Sequence, residues 1–178
     1  MTTVVPSIAD PVAIGSPAYA EALEFLYREA RLLDNAQHAD WLTLLHPEIE
    51  YHMPVRISRM PKDGNGFVSE MEFFTENFSS LHTRIRRLHT DQAWAEQPAS
   101  RARHFLTNSV VGVLPGGDME VLSNLMVTRT RSDLPYDLFT GERRDVLRRG
   151  DGQQLLLAHR TYYLDQTVLR AMNLSILF

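Results

Sequence analysis

Few kinds of side chain in this 178-residue sequence can do chemistry. There are seven histidines and no cysteine, which removes disulfides, thiol nucleophiles, Cys-ligated zinc and cysteine-held iron–sulfur clusters together. The histidines do not fall into a metal-binding spacing. His82 and His89 share a helical stretch but stand seven residues apart, ~10 Å along the axis at about 1.5 Å per residue, too far for one ion. His46 and His52 straddle a helix end and a strand, and no H-x-x-x-H or H-E-x-x-H occurs. Gly64-x-Gly66 lacks the rest of a phosphate loop, and there is no G-x-S-x-G elbow. One constellation is left. Tyr51 on a first strand, His104 on a later strand and Asp34 at the end of the first helix would make, in a cone-shaped domain, an acid–base set for dehydration or isomerisation. Each also has a structural reading: Asp34-Asn35 suits a helix terminus, Tyr51 lies on an apolar strand face, and His104 stands between Arg103 and Phe105 in a strand.

The elements that must carry these residues follow from periodicity. Ser16-Pro17 supplies an N-cap and a proline at the first helical position, and Tyr19, Ala22, Leu23, Leu26, Ala30 and Leu33 form one apolar stripe, predicting a helix to about Asp34. Ala39 to Leu45 predicts a shorter helix closed by His46-Pro47. From Glu48 to Arg56 the period is two, with Ile49, Tyr51, Met53 and Val55 alternating against polar neighbours; Pro54 marks this strand as an edge or as bulged. Residues 57–68 then predict a loop, and Ser69 with Glu72 a capping box before a third helix striped by Phe74, Phe78, Leu81, Ile85 and Leu88. After a linker through Trp94 and Pro98, alternating runs from Arg103 to Leu114 and Met119 to Arg131 flank Pro115-Gly116-Gly117-Asp118 as a hairpin, and Leu134-Pro135 turns into another.

That last hairpin turns at Gly150-Asp151-Gly152. With Arg149 facing Gln153, Leu147 lies opposite Leu155, Val146 opposite Leu156 and Glu142 opposite Arg160; a slip by one residue would set Arg143 against Arg160. Three consecutive leucines, Leu155 to Leu157, predict a strand covered on both faces. The sequence closes on Leu174-Ser175-Ile176-Leu177-Phe178 without a polar tail, so the rest of the domain or another chain must cover it. Helices, one strand, one helix and four successive strands argue for α+β: a strongly bent, largely antiparallel sheet with helices in its concave side, a cone holding a ligand or a core. Residues 1–16 read as an N-terminal arm and 17–178 as one domain.

With a formal charge of −4, general nucleic-acid binding is not expected despite arginine clusters at Arg84/Arg86/Arg87 and Arg143/Arg144/Arg148/Arg149. Those arginines read as polar strand and helix faces or as partners of another protein's carboxylates. No secretory n-region and no membrane-length apolar run is present, predicting a cytoplasmic protein with no membrane partner.

Several segments, in order, resemble one family. They are YHMPVR at Tyr51–Arg56, WAE at Trp94–Glu96 leading into SRARH at Ser100–His104, TGERRDVLR at Thr140–Arg148, and LDQ at Leu164–Gln166 with NLS at Asn173–Ser175. Together, from about Pro17 to Phe178, the chain resembles the small (β) subunit of Rieske-type aromatic-ring-hydroxylating dioxygenases. The resemblance implies a fold like nuclear transport factor 2 (NTF2-like), and an α3β3 assembly with the large α subunit and other β subunits. It implies that the α subunit holds the Rieske [2Fe–2S] cluster and mononuclear non-haem iron. Electrons would arrive from NADH through a reductase, usually with a ferredoxin, and the products would be cis-dihydrodiols of arenes such as benzene, biphenyl or naphthalene. A Rieske centre needs two Cys, which this chain lacks, and the sequence spacing shows no two-His-one-carboxylate set for iron. The resemblance therefore carries over no catalytic, cofactor-binding or metal residue, and the apolar end and Arg-rich strands are expected to serve as an interface. The alternative is a freestanding dehydratase or isomerase using Tyr51, His104 and Asp34.

Overall fold

The computed structural model describes residues 8, 10–58, 60, 66–88, 99–132, 135–169, 171, 177 and 178. His89, the Trp94–Pro98 linker, Gly64-Asn65, Leu134 and residues 172–176 lie outside them. Within the described residues the order is α1 (Pro17–Asp34), α2 (His38–Leu42), β1 (Leu45–Arg56), β2 (Phe67–Glu76), α3 (Phe78–Leu88), β3 (Arg101–Val113), β4 (Met119–Thr130), β5 (Asp137–Arg149) and β6 (Leu155–Leu164). The strands form one curved sheet in the order β2-β1-β6-β5-β4-β3, antiparallel except where β1 meets β6. Helix α1 packs against β3 and β4, and α3 against β1. This is the α+β cone expected from periodicity.

Helix α1 starts as predicted: Ser16 Oγ accepts the Tyr19 amide at 3.3 Å, with Pro17 in the first turn. Its buried face is Ala22, Phe25, Leu26, Glu29, Ala30 and Leu33, so a carboxylate sits in the apolar stripe. The arm is tied down from Pro11, which bridges Gly112, and Val12 N–H donates to Val111 O at 2.8 Å. The β3–β4 hairpin closes between Leu114 and Asp118, with Gly116 and Gly117 both at positive φ.

Three local expectations are corrected by long-range pairing, and a fourth, at Pro54, is met in one of its two forms. Helix α2 ends at Leu42, because Leu45, His46 and Pro47 already belong to β1. Residues 67–76 form β2 where a loop and a capping box at Ser69 are predicted; pairs such as Tyr51 with Glu76 and Met53 with Phe74 recruit the segment into the sheet. Tertiary pairing overrides local propensity here. Helix α3 is capped instead by Asn77: its Oδ1 accepts the Ser80 amide at 3.0 Å while Ser80 Oγ accepts the Asn77 amide at 2.8 Å. Pro54 does sit in a bulge, where the β1–β2 register shifts on either side of it, but β1 is interior to the sheet and not an edge.

The closing hairpin has a different register. Gly150 and Gln154 face each other, leaving Asp151-Gly152-Gln153 as the three-residue loop, and it is Gln153, at φ 65°, that takes the left-handed position. Leu147 pairs with Leu157, yet Val146 pairs with His159, so Ala158 is an extra residue in β6. This bulge reverses which β6 residues point inward: Leu155 and Leu157 before it, Arg160, Tyr162 and Leu164 after it. Arg160 consequently faces Asp145, and Glu142 faces Tyr163. The inward residues of β6 are buried, whereas Leu156, His159 and Tyr163 on the outward side are half-buried, so the cover on both faces predicted from three consecutive leucines is only partial.

The two registers make opposite predictions at Gln153. A non-glycine residue in the left-handed region costs roughly 1–2 kcal/mol, against about 0.5–1 kcal/mol for a glycine's extra chain entropy. Gln153→Gly is therefore expected to raise stability, by up to about 1 kcal/mol. In the register predicted from sequence, the same change would remove a strand side chain and lower it. Urea denaturation midpoints of the two proteins separate the cases.

Candidate functional site

The concave side of the sheet is where a cone-fold protein keeps a ligand, and here it encloses an ionic cluster. Arg160, fully buried on β6, donates from Nε to Asp145 Oδ1 at 2.6 Å and from Nη2 to Glu29 Oε2 at 2.6 Å; its Nη1 also reaches Glu29 Oε1. Trp41 Nε1 donates to Glu29 Oε1 at 3.0 Å. Arg143 brings a second buried guanidinium, with Nε 2.9 Å from Asp145 Oδ2 and Nη2 3.5 Å from Glu29 Oε2. Neither contact of Arg143 is aligned as a hydrogen bond, so it contributes charge more than directed bonding. Two guanidinium and two carboxylate groups thus balance in the interior. Burial pushes the Glu29 carboxyl up, but the charges of Arg160 and Arg143 and the bonds from Arg160 and Trp41 outweigh it and hold its pKa at about 2.

Onto this cluster the end of the chain folds back. Arg160 Nη1 donates to the main-chain O of Phe178 at 3.0 Å. Tyr51 Oη lies 3.1 Å from both the N and the O of Phe178, accepting the amide, and 3.3 Å from Tyr162 Oη. The Phe178 ring is fully buried, edge-on to Phe139 with centroids 5.2 Å apart and tilted against Tyr162 at 5.4 Å. Leu177 is buried beside it. For Leu177 and Phe178 the cover that the apolar end requires comes from this domain itself, so these two side chains are not interface surface; residues 172–176 lie outside the described residues.

Of the acid–base constellation, Asp34 and His104 meet. Asp34 Oδ1 lies 2.7 Å from His104 Nδ1 and accepts the His104 amide at 2.9 Å. His104 Nε2 lies 2.9 Å from Leu177 O. Both ring nitrogens are thus engaged by protein groups, Asp34 on one side and the Leu177 main chain on the other. Tyr51 points into the same interior, but its hydroxyl is engaged by Phe178. Burial, its largest influence, raises the Tyr51 pKa above the ordinary phenol value, and the same holds more strongly for Tyr162. His104 and Tyr51 thus both engage the Leu177–Phe178 main chain, with Asp34 behind His104.

The arginine clusters divide. Arg143 is internal, not on a polar strand face, whereas Arg144 pairs with Glu120, Arg148 with Asp118 at 3.0 Å and Arg149 with Glu21 at 2.7 Å within the chain. Outside the cone, the fold assembles what linear spacing does not announce: Glu50 and His52 on β1 meet His159 on β6, a two-His-one-carboxylate group on the outward face.

The Glu29 environment has a pH signature. Its folded pKa lies below its unfolded value of 4.5, so its contribution is complete above pH 4.5 and is lost as pH falls toward about 2. A shift of that size corresponds to about 3 kcal/mol. Glu29→Gln is expected to cost about 3–5 kcal/mol at neutral pH, by stranding Arg160 and Arg143, and to flatten the acid limb. Urea midpoints measured from pH 7 to pH 2 check both. Phe178→Ala, which empties the plug while keeping its main chain, is expected to cost about 3–5 kcal/mol.

The match to the ring-hydroxylating β-subunit family model spans residues 28–171. The chain is 35% identical over 173 residues to the benzene 1,2-dioxygenase β subunit of Pseudomonas putida (strain F1), covering 94% of this chain and 92% of that one. It is 35% identical over 174 residues, with the same coverage, to the biphenyl 2,3-dioxygenase β subunit of Rhodococcus jostii (strain RHA1). Among solved structures it is similar to naphthalene 1,2-dioxygenase with indole bound in the active site, at a TM-score of 0.82 and 27% identity over 92% of this chain and 87% of that chain. An α+β cone reached from periodicity, and sequence matches over nearly its whole length, lead to one conclusion: the chain has the NTF2-like fold and belongs to the family of ring-hydroxylating dioxygenase β subunits.

Proposed function

We propose that this chain is the non-catalytic, structural β subunit of a multicomponent dioxygenase that cis-dihydroxylates arenes on its α subunit. The observation that carries this is the filled cone: Leu177 and Phe178 occupy the interior and engage the polar groups, His104, Tyr51 and Arg160, that would otherwise meet a substrate. The donor set points the same way for the cofactors. Without cysteine the chain has no ligands for the thiolate side of a Rieske cluster, and the outward-facing Glu50, His52 and His159 offer no enclosed cavity in which iron could activate oxygen beside an arene. Both iron centres then belong to the α subunit, fed from NADH by a reductase and ferredoxin, in a cytoplasmic α3β3 hexamer. Residues 17–178 would act as one unit, preceded by the arm 1–16. The exposed Phe105, Met126 and Leu138 on β3, β4 and β5 are apolar surface of the kind a partner subunit covers. The relatives are named for benzene and biphenyl, which supports a one- or two-ring arene as the substrate, chosen by the α subunit.

The Asp34–His104 contact favours a second reading, a cone-fold dehydratase or isomerase. His104→Ala in the assembled enzyme separates the two. With hexamer formation verified by size-exclusion chromatography, turnover is expected to stay within a few-fold of the parent, whereas removal of a proton-transfer group costs on the order of 10²–10⁴. A loss of that size with intact assembly would support the second reading.

A further inference from the structure

On the outward face of the sheet, β1 and β6 run parallel with Glu50 paired to His159 and His52 to Thr161. One ligand atom from each of Glu50, His52 and His159 lies within 4.8 Å of the other two. The two imidazoles are stacked with centroids 5.5 Å apart. Each ring is also held from outside the trio. His52 Nδ1 lies 2.9 Å from Glu72 Oε2, and that carboxylate is itself fixed by the Thr75 hydroxyl at 2.5 Å. His159 Nε2 lies 2.8 Å from Thr161 Oγ1, while its Nδ1 faces Glu50 Oε2 at 3.2 Å.

This is the arrangement that surrounds metal-bound histidines, where one ring nitrogen donates to a carboxylate or hydroxyl and the other is thereby turned to the ion. We propose that Glu50, His52 and His159 bind a divalent transition metal, Zn²⁺ in preference to Fe²⁺, clamping β1 to β6. Nδ1–H of His52 donates to Glu72, leaving Nε2 as the ligand; Thr161 holds Nε2 of His159, leaving Nδ1; Glu50 supplies a carboxylate oxygen. Three protein ligands leave a fourth position for water, the pattern of an open zinc site. Nitrogen and oxygen donors in such a set favour Zn²⁺ over Fe²⁺ by the ordinary order of divalent affinities. The site lies where the β1–β6 ladder resumes after an irregular stretch between Leu45 and Glu50, so an ion there would fix the one parallel junction among the described strands. It stands on these contacts alone and is independent of the subunit's role in the dioxygenase.

Isothermal titration of the metal-free full chain with ZnCl₂ tests it. One ion per chain is expected, with an accompanying rise in Tm. His159→Ala and Glu50→Gln should each remove saturable binding, and Glu72→Gln, which touches only the outer support, should weaken it about 10–100-fold. All three positions are at the surface, and Tm in the presence of EDTA reports whether each variant keeps its fold. Anaerobic titration with Fe²⁺ should give weaker binding. Absence of saturable Zn²⁺ binding to the parent chain, or binding unchanged in folded His159→Ala, would overturn the proposal. Tighter Fe²⁺ than Zn²⁺ binding would overturn the assignment of the metal, and an unchanged affinity in Glu72→Gln would overturn the role of the outer carboxylate.

Discussion

The interior of this protein depends on one guanidinium. Arg160 reaches Glu29 on α1, Asp145 on β5 and the main chain of Phe178 from a single position on β6, so helix, sheet and tail converge on it. Placing such a charge in the core is unfavourable unless each of its donors has a partner, and here carboxylates and a main-chain oxygen supply them. Its protonated form is held firmly: although burial acts against the charge, Asp145 and Glu29 push the pKa well above the ordinary arginine value. The requirement also works in reverse. Glu29 tolerates burial because Arg160, Arg143 and Trp41 surround it, and Phe178 is held in part because its oxygen completes the guanidinium's set.

Much of the frame was legible in the residues. Ser16-Pro17, the α1 stripe and the Pro115-Gly116-Gly117 turn act locally, over a few residues, and the structure follows them. The closing hairpin was not legible in register, because two features compete with the simplest pairing. Gln153, a residue with no special liking for the left-handed region, takes the position that Gly152 would fill with less strain, and Ala158 adds a bulge that only the finished sheet reveals. Strand β2 was missed because its partners on β1 lie some twenty residues away and its own alternation is weak.

The ionic cluster left a trace that was readable in hindsight. Glu29 interrupts the stripe of Ala22, Leu26 and Leu33, and Arg143 and Asp145 alternate with Leu147 on the inward face of β5. Charges on an otherwise apolar face need complements from elsewhere, and opposite signs on α1 and β5 were available. Asp34 and His104 meet, and Tyr51 points into the same interior. That the chain's own last residues would sit among them follows only from the three-dimensional closure of the cone. A fold suited to enclosing a small molecule encloses part of itself instead, which supports a role as a rigid partner beside the catalytic subunit.

Hydrogen exchange at the Phe178 amide tests this account most directly. That N–H donates to a buried tyrosine hydroxyl inside the cone, so it should open only with unfolding of the core and exchange as slowly as amides of the central strands β5 and β6. Exchange at the rate of a solvated amide, in a protein whose central strands remain protected, would mean that the tail does not fill the interior and that the cone is open to a ligand.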